Sequence, residues 1–405
     1  MSRAENPHRV SWTDLQAARA AHPGQTPSPE IIDVRSPAEF AEDHIPGALN
    51  LAVLSDAERA QVGALYVRES RFLARKTGAA LVSRNIARHL EDALRDKPGD
   101  YAPIVHCWRG GQRSQSLALV MAQIGWRVGV LAGGYQAYRR HVNARLYGDA
   151  PWFRIVLLDG PTGVGKTAVL RRLAARGAAT LDLEDLAAHR GSIFGAEPTR
   201  PQPSQKMFET NILHRIETAL AAAPSGAPLI LEAESNKIGA RQIPPVLWRA
   251  MRAAPRIVLS APVEARARHC LEEYAALAAD ASQLDALLGR LTILVGREQV
   301  AAWRALASAG AHLRLAEELM GRHYDPAYAR SGRRAGAGDG RARATLGEVE
   351  MLDLNAAELE RAAGDILHLA NSAEATATPR GPEAQTPEAP GETPSRPPSS
   401  RSASA

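Results

Sequence analysis

Cys107 lies in the stretch VHCWRGGQRS, where a glycine-rich turn and two arginines follow it within six residues. A thiol becomes a nucleophile when its thiolate is stabilised, and successive backbone amides in a glycine turn, together with a helix N-terminus, supply that stabilisation. Gly110 and Gly111 let the backbone fold around an anion, and Arg109 and Arg113 add positive charge. The pattern predicts a reactive cysteine in an anion cradle rather than a buried structural thiol.

Two chemistries fit this cradle. The order His106, Cys107, five residues and Arg113 has the spacing of cysteine phosphatases, in which the loop holds a phosphoryl group. A persulfide or perselenide on the cysteine would use the same array of donors. The loop by itself leaves both chemistries open.

A second motif, GPTGVGKT at 160–167, satisfies the pattern G-x-x-x-x-G-K-[ST] between a predicted strand and a predicted helix. Its backbone amides are expected to cradle a diphosphate or triphosphate, with Lys166 on the terminal phosphate and Thr167 placed to hold Mg²⁺. The residues predicted to bind phosphate are Gly160, Thr162, Gly163, Gly165, Lys166 and Thr167.

Polar residues after this loop are candidates for further ligand contacts. Glu232 and Glu234 follow a later predicted strand, with surface carboxylates as the alternative. Neither is the aspartate of an ordinary nucleotide hydrolase, so nucleotide hydrolysis does not follow, and the sequence predicts no dedicated metal site. Two donor-rich segments are further candidates, with simple loop structure as the alternative. Their residues are His189, Arg190, Ser204, Gln205 and Lys206.

Composition limits the class of protein. The 405 residues are enough for two domains, and 45% of them are hydrophobic. No apolar run approaches the length of a membrane span, and the first residues lack the apolar core of a signal peptide. Two cysteines argue against a disulfide framework and for a cytoplasmic protein. A net charge of +5 permits a polyanionic partner without requiring one.

Strands that alternate with helices predict an α/β protein with two parallel-sheet domains. The first is expected over 10–146, with a mostly helical stretch at 56–97, and the second over 152–330, beginning with the strand FRIVLLDG. Residues 331–370 are expected to form a partly helical extension. Residues 371–405 have almost no large apolar side chains and are expected to be a disordered tail.

The stretch DVRSPAEFAEDHIPGALN at 33–50 resembles the N-terminal signature of rhodanese domains. LAGGYQAYR at 131–139 resembles a strand and turn near the end of that domain, so the resemblance covers roughly 10–146 and implies a rhodanese-like parallel sheet. Most rhodaneses have four residues between the cysteine and the arginine, whereas this chain has five, as rhodanese-related phosphatases do. Phosphatase activity therefore stays open at this point.

A rhodanese-like domain followed by a P-loop domain resembles one family closely, the tRNA 2-selenouridine synthases. The family's blocks occur in order over about 10–331 as HCWRGGQRS, GGYQAYR, GPTGVGKT, LDLEDLAAHRGSIFG, QPSQKMFE, EAESNKIG and HYDPAYARS. The resemblance implies a transferase that replaces sulfur by selenium at the wobble uridine (U34) of 2-thiouridine-containing tRNA, with selenophosphate as donor. It also implies transfer of a geranyl group from geranyl diphosphate to that sulfur, which makes the sulfur a better leaving group.

The same resemblance implies roles for the candidate residues. Cys107 would handle selenium as a perselenide, and the P-loop would hold either the prenyl diphosphate or a tRNA phosphate. Trp108 is a candidate stacking platform for the wobble base, with simple packing as the alternative. The polar candidates after the P-loop become candidate tRNA contacts as well. No tightly bound cofactor is implied, and Mg²⁺ is a candidate ion.

Two other functions remain open on the sequence. A cysteine-dependent phosphatase fused to a nucleotide-binding domain would turn over a generic aryl phosphate and lose that activity without Cys107. A non-catalytic sensor would bind nucleotide and tRNA tightly without modifying any base.

Overall fold

The computed structural model of the chain describes residues 6–20, 29–190, 195, 200–330 and 344–372. The segment 331–343 and residues 373–405, which include nearly all of the tail expected at 371–405, lie outside the described residues. Within the described ranges, no helix is both long enough and apolar enough to span a membrane.

The first domain is built on a five-stranded parallel sheet in the order β1-β5-β4-β2-β3. Its strands are β1 (His8–Val10), β2 (Ile31–Asp33), β3 (Leu49–Asn50), β4 (Ile104–His106) and β5 (Gly129–Leu131). Its helices are α1 (Trp12–Ala20), α2 (Pro37–Glu42), α3 (Asp56–Arg68), α4 (Arg71–Glu91), α5 (Gln112–Ile124) and α6 (Gly134–Tyr147). This arrangement confirms the α/β class and the helical stretch expected at 56–97.

Both faces of the first sheet are covered by helices, as a parallel sheet requires. On one face Val105 packs with residues of α4 and α5, among them Ile86 and Met121. On the other face Leu131 packs with α1 and α6. The polar end of β4 leads directly into the cysteine loop.

The second domain has a five-stranded parallel sheet in the order β12-β11-β6-β8-β7. Its strands are β6 (Ile155–Asp159), β7 (Thr180–Leu181), β8 (Leu229–Glu232), β11 (Arg256–Ser260) and β12 (Thr345–Glu350), and an antiparallel pair is formed by β9 (Lys237–Ile238) and β10 (Arg241–Gln242).

The helices of this domain surround the sheet and extend beyond it. They are α7 (Lys166–Ala175), α8 (Leu183–Ala187), α9 (Gln205–Ala222), α10 (Pro245–Ala253), α11 (Val263–Glu273), α12 (Ala275–Ala279), α13 (Ala281–Arg290), α14 (Thr292–Val295), α15 (Arg297–Ser308), α16 (His312–Leu319), a π-helical turn (Met320–Tyr324) and α17 (Ala356–Ser372). Helices α13 to α16 share a hydrophobic core of their own, with Leu288, Trp303 and Leu315 at its centre.

The C-terminal segment from 345 completes the second sheet. Strand β12 pairs in parallel with β11, and α17 packs against α7 through Leu359, Ala363 and Ile366. The sequence-based division set 331–370 apart as an extension, but its described residues, from 344 onward, contribute an edge strand and a covering helix to the P-loop domain.

The two domains share one continuous hydrophobic cluster. Tyr138 and Val142 of α6 belong to the same buried cluster as Phe208 and Ile212 of α9, and α6 also packs on α10. The linker after Tyr147 therefore connects two domains that pack against each other.

Candidate active sites

Cys107 lies directly after β4, at the mouth of a tight loop that runs into α5. Its Sγ accepts hydrogen bonds from the backbone amide of Gly111 at 3.2 Å and from the hydroxyl of Ser114 at 3.3 Å. The residue is only 4% exposed, and helix α5 begins at Gln112 with Gly111 as its N-cap. The loop therefore surrounds the sulfur with donors, as expected from the glycine turn.

The acidity of the thiol reflects two opposed effects. Burial of Cys107 disfavours the thiolate, but hydrogen bonds from the Ser114 hydroxyl and from the amides of Ser114, Arg109 and Gly111 stabilise it. The hydrogen bonds prevail and lower the pKa of Cys107 below its ordinary value. The site is thus built to hold a sulfur anion.

Two glycines allow the loop to close. Gly110 has φ +69, and a Cβ there would lie 2.6 Å from the carbonyl oxygen of Leu131. Gly134, at the start of α6, has φ +56, and a Cβ there would collide with the carbonyl oxygen of Cys107. The GGYQAYR block therefore closes against the cysteine loop, which explains why both segments carry glycine.

The arginine side chains do not form the cradle in the way expected from the sequence. Arg113 donates to Glu39 at 2.7 Å, and Glu39 also pairs with Arg59 of α3 at 3.1 Å. Arg109 is exposed and contributes its backbone amide rather than its side chain to the sulfur. The immediate donors to Sγ are backbone amides and one hydroxyl, while the charge of Arg113 is balanced by a carboxylate.

A buried polar network supports the loop from behind. Arg35 pairs with Asp33 at 2.6 Å, donates to the carbonyl oxygen of Asp43 at 2.6 Å and stacks 4.0 Å above the ring of Tyr135. Tyr135 donates to the Asp43 carboxylate at 2.6 Å, and the ring of Trp108 lies 5.2 Å from that of Tyr135. The rhodanese-like signature therefore has a structural role here, and the half-buried Trp108 packs on this network.

The P-loop connects β6 to α7, as predicted. Gly160, Gly163 and Gly165 all have positive φ, which lets the backbone curl around an anion. Lys166 donates to the carbonyl oxygen of Gly160 at 3.0 Å, and Thr167 donates to Glu232 at 2.6 Å. A cavity of about 490 Å³ opens over this loop.

Three carboxylates meet in this cavity. Oxygen atoms of Glu184, Glu232 and Glu234 lie within 4.8 Å of one another. Burial, followed by the charges of the other two glutamates, raises the pKa of Glu184 to about 9, and burial and Glu232 raise that of Glu234 to about 7. Burial also raises the pKa of Glu232. The cluster therefore retains protons near neutral pH and is suited to exchange them for a cation.

Glu184 was not singled out as a site residue from the sequence. It follows β7, which pairs in parallel with β8, the strand that leads to Glu232. The carboxyl ends of neighbouring parallel strands meet at one edge of a sheet. The acidic stretch DLED after a short predicted strand was the available signal.

Two ion pairs hold the P-loop in position. Arg266 donates to the carbonyl oxygen of Thr162 at 3.0 Å and forms a bidentate pair with Asp325 at 2.9 and 2.7 Å. Asp159 pairs with Arg256 at 2.9 Å and accepts a hydrogen bond from Tyr328. The HYDPAYARS block thus positions the phosphate loop, a role that its sequence did not reveal.

The polar residues that the sequence predicted as further ligand contacts lie in different parts of the second domain. Arg190 lines the P-loop cavity and lies 4.6 Å above the ring of Tyr274. His189 sits beside the turn between β9 and β10, where a Cβ on Gly239 would lie 2.7 Å from its ring.

Ser204, Gln205 and Lys206 begin α9 at the contact between the domains. Ser204 caps the helix and donates to the carbonyl oxygen of Glu42, and Lys206 pairs with Glu42 at 2.7 Å. Gln205 donates to Glu209 at 3.0 Å. Ser204 and Lys206 therefore join the domains, whereas Gln205 bonds within the second domain, to Glu209 and to the backbone of Gln242. None of the three is among the described residues that line the P-loop cavity.

Replacing Ser114 by alanine is expected to raise the pKa of Cys107, since a hydroxyl donor to the thiolate is lost. The pH profile of alkylation by iodoacetamide should move to higher pH, and the rate at neutral pH should fall roughly tenfold. Ser116→Ala is the matched control, because Ser116 donates to the carbonyl oxygen of Gln112 instead of the sulfur. Unchanged profiles in both variants would contradict the role given to Ser114.

Comparisons with known proteins match both domains. A family model for the rhodanese-like domain matches residues 14–141, and one described as the tRNA 2-selenouridine synthase AAA domain matches residues 153–290. The two matched regions contain the cysteine loop and the P-loop respectively.

Curated proteins named tRNA 2-selenouridine synthase are similar to this chain. The protein from Sulfurovum sp. (strain NBC37-1) is 36% identical over 249 residues, which cover 61% of this chain and 66% of that protein. The protein from Hahella chejuensis is 37% identical over 251 residues, 60% of this chain and 63% of that protein. The match thus spans slightly less than two thirds of the length of these relatives.

A longer alignment comes from Shewanella denitrificans. Its protein of the same name is 32% identical over 328 residues, which cover 74% of this chain and 87% of that protein. Because this alignment covers most of the relative at 32% identity, and family models match both domains of this chain, the chain belongs to the tRNA 2-selenouridine synthase family.

Proposed function

We propose that this protein modifies tRNA by converting 2-thiouridine at the wobble position to 2-selenouridine. One observation carries the proposal. A single chain of this family contains both a thiol with a lowered pKa and a P-loop cavity lined by carboxylates. The thiol suits selenium chemistry, and the P-loop cavity suits a phosphorylated substrate. The relatives' names support tRNA as the substrate.

The role proposed for Cys107 is to release selenium from selenophosphate. Selenium is fully reduced in that donor, so the perselenide implied by the family resemblance would require an oxidant. Attack of the thiolate on phosphorus requires none: a sulfur–phosphorus bond forms, the phosphorus–selenium bond breaks, and selenium leaves as hydrogen selenide with a proton from water. Water then hydrolyses the phosphocysteine. The phosphatase-like loop length and the amide donors at Sγ support this route.

The role proposed for the P-loop is to bind the diphosphate of a geranyl donor. The sulfur of 2-thiouridine attacks C1 of the prenyl chain, the C1–oxygen bond breaks, and diphosphate leaves into the loop. Lys166 and the loop amides stabilise the departing charge. The hydrogen selenide ion then adds to C2, the C2–sulfur bond breaks, and the geranyl group leaves with its sulfur as geranylthiolate, which takes up a proton from water. A tRNA phosphate in the same loop is the alternative, and the variant Lys166→Ala, discussed below, separates the two.

Mg²⁺ fits the acidic end of this cavity. Oxygen ligands are what Mg²⁺ prefers, and Glu184, Glu232 and Glu234 converge there beside the hydroxyl of Thr167. A bound ion would neutralise diphosphate charge. The chain's own contribution is to hold the carboxylates together and to release their protons when the ion binds.

The surface proposed to meet tRNA is the hairpin of α3 and α4. Tyr66 and Phe72 near its tip are 47% and 76% exposed, beside exposed cations. Those cations are Arg68, Arg71, Arg75 and Lys76. Exposed aromatic rings among cations suit unstacked bases and phosphates, and binding is expected to weaken steeply with salt. Arg59 of α3 links this hairpin to the cysteine loop through Glu39.

A phosphatase remains the second candidate because the spacing from Cys107 to Arg113 is that of cysteine phosphatases. Against it, Arg113 is paired with Glu39 and the matched relatives are selenouridine synthases. Turnover of an aryl phosphate that disappears in Cys107→Ala would favour the phosphatase.

The test is mass spectrometry of the wobble nucleoside. Thiolated tRNA is incubated with the purified protein and geranyl diphosphate, and selenophosphate is then added. We expect an S-geranyl adduct, followed by replacement of sulfur by selenium. An unchanged nucleoside under both conditions, with folded protein and thiolated tRNA verified, would overturn the proposed function.

A further inference from the structure

Two arginines from different helices share the carboxylate of Glu39. Its Oε2 accepts a hydrogen bond from Nη1 of Arg113 at 2.7 Å and lies 3.1 Å from Nε of Arg59. The backbone amide of Ser36 donates to the same oxygen at 3.2 Å. The side chain of Glu39 is 13% exposed, against 23% for Arg113 and 53% for Arg59. Glu39 is therefore a largely buried carboxylate that lies between a partly buried arginine and an exposed one.

Glu39 carries a negative charge in this setting. Burial disfavours its charged form, but the hydrogen bond and charge of Arg113, the amide of Ser36 and the charge of Arg59 hold the pKa of this carboxyl below its ordinary value. The charge of Glu39 therefore offsets the charge of Arg113 at neutral pH.

Arg113 lies between the two residues that donate to the sulfur of Cys107. It follows Gly111 by two residues and directly precedes Ser114. An anion bound beside the sulfur would meet the amides of this turn and the N-terminus of α5. A guanidinium pairs with a carboxylate and with a phosphoryl group through the same donors, so Glu39 and a phosphoryl anion compete for the charge of Arg113.

Arg59 makes this competition reversible. A largely buried carboxylate that lost its last cation would be costly. Arg59 already contacts Oε2 of Glu39, and it can remain there when Arg113 turns to an anion. The pairing can thus pass from Arg113 to Arg59 without leaving Glu39 unpaired.

We propose that Glu39 is a positioning residue that acts through Arg113 and keeps the affinity of the cysteine loop for phosphoryl anions low. In the empty loop Glu39 neutralises Arg113. When selenophosphate binds, Arg113 contacts the anion and Glu39 keeps Arg59. The inference rests on the proposed function for the identity of the anion. Hydrolysis of the phosphocysteine leaves inorganic phosphate in the same loop, and the return of Glu39 to Arg113 favours release of that phosphate.

The test measures how strongly inorganic phosphate protects Cys107 of the full chain from alkylation by iodoacetamide. Alkylation of the Cys107 peptide is followed by mass spectrometry at constant ionic strength, relative to each variant's own rate without phosphate. Glu39→Gln keeps the shape of the side chain and removes its charge, so it is expected to bind phosphate roughly tenfold more tightly. Glu42→Gln is the matched control, because this exposed glutamate of the same helix pairs with Lys206, and it should bind phosphate as the wild type does.

Arg59 gives a second test. Arg59→Ala leaves Glu39 with Arg113 alone and is expected to weaken phosphate binding several-fold, whereas the same change in the Glu39→Gln background should have little effect. Arg84→Ala, at an exposed position of the neighbouring helix α4, controls for the loss of one positive charge. If Glu39→Gln does not fold, Arg59→Ala decides: binding weaker than in Arg84→Ala supports the proposal, and equal binding overturns it.

The outcomes separate this inference from the proposed function. Protection by phosphate that is the same in the wild type and in Glu39→Gln overturns the role of Glu39 and leaves the transferase proposal intact. An equal loss from Arg59→Ala in both backgrounds overturns the role of Arg59. Phosphate that protects Cys107 in none of these proteins overturns both this inference and the proposed attack on selenophosphate.

Discussion

Substitution of Cys107 by alanine is expected to abolish selenium incorporation while geranyl transfer continues. The sulfur is held by the amide of Gly111 and the hydroxyl of Ser114 in the first domain. The described residues around the P-loop cavity, from Gly160 to Tyr328, all belong to the second domain. Selenation should fall by roughly 10³-fold or more, the scale on which loss of a nucleophile acts. The measurement is the ratio of S-geranyl to selenium-containing wobble nucleoside.

The controls for this result use the same loop and helix. Cys107→Ser keeps the side-chain volume but lowers nucleophilicity, so it should lose selenation as fully as the alanine variant does. Ser116→Ala, on the same helix but bonded to Gln112, should behave as the wild type. Selenation at the wild-type rate in Cys107→Ala would remove this thiol from the reaction, and loss of geranyl transfer there would show that the two steps are not separable.

The parts of the sites that the sequence predicted are those set by local chain geometry. The cysteine loop and the P-loop each consist of a strand, a glycine turn and a helix start, and all three are encoded within about ten residues. Gly110 and Gly163 are needed because their φ values of +69 and +78 disfavour other residues. Such positions can be read from a single sequence because the constraint acts on the backbone itself.

The parts that the sequence did not predict depend on which distant segments the fold brings together. Arg113 was expected to add charge to the cradle, yet it pairs with Glu39, a residue 74 positions earlier. Glu184 joins Glu232 only because β7 and β8 are neighbours in the sheet. The partner of neither residue can be identified from its own segment, since both contacts depend on which elements are neighbours in the fold.

The segment QPSQKMFE illustrates the same limit. Its serine, glutamine and lysine have the chemistry of phosphate ligands, but Ser204 and Lys206 join α9 to Glu42 of the first domain, and Gln205 bonds to Gln242 within the second domain. Glu209 in this segment is nearly fully buried and bonds to Arg139 and Tyr147. A buried carboxylate is stabilised when it is paired, so these residues are accounted for by packing between the domains.

Lys166→Ala is expected to reduce geranyl transfer by roughly 10²–10³-fold, the scale for losing one charge-stabilising donor. Lys166 donates to the loop carbonyls of Gly160 and Pro161. Its charge partly offsets the rise in pKa that burial causes at Glu232 and Glu234. Its removal therefore takes away the proposed diphosphate contact and favours protonation of the carboxylates that would hold Mg²⁺. The measurement is the initial rate of S-geranyl formation at several geranyl diphosphate concentrations.

The decisive comparison is a tRNA that already carries the S-geranyl group. Lys166→Ala should convert it to 2-selenouridine at the wild-type rate, because Cys107 and its donors are intact in that variant. Lys97→Ala, a lysine paired with Glu30 in the first domain, serves as the matched control and should be active in both steps. A different result would assign the P-loop to a tRNA phosphate: Lys166→Ala would bind tRNA more weakly but keep undiminished geranyl transfer. The lysine charge would then be needed for the nucleic acid and not for the prenyl donor.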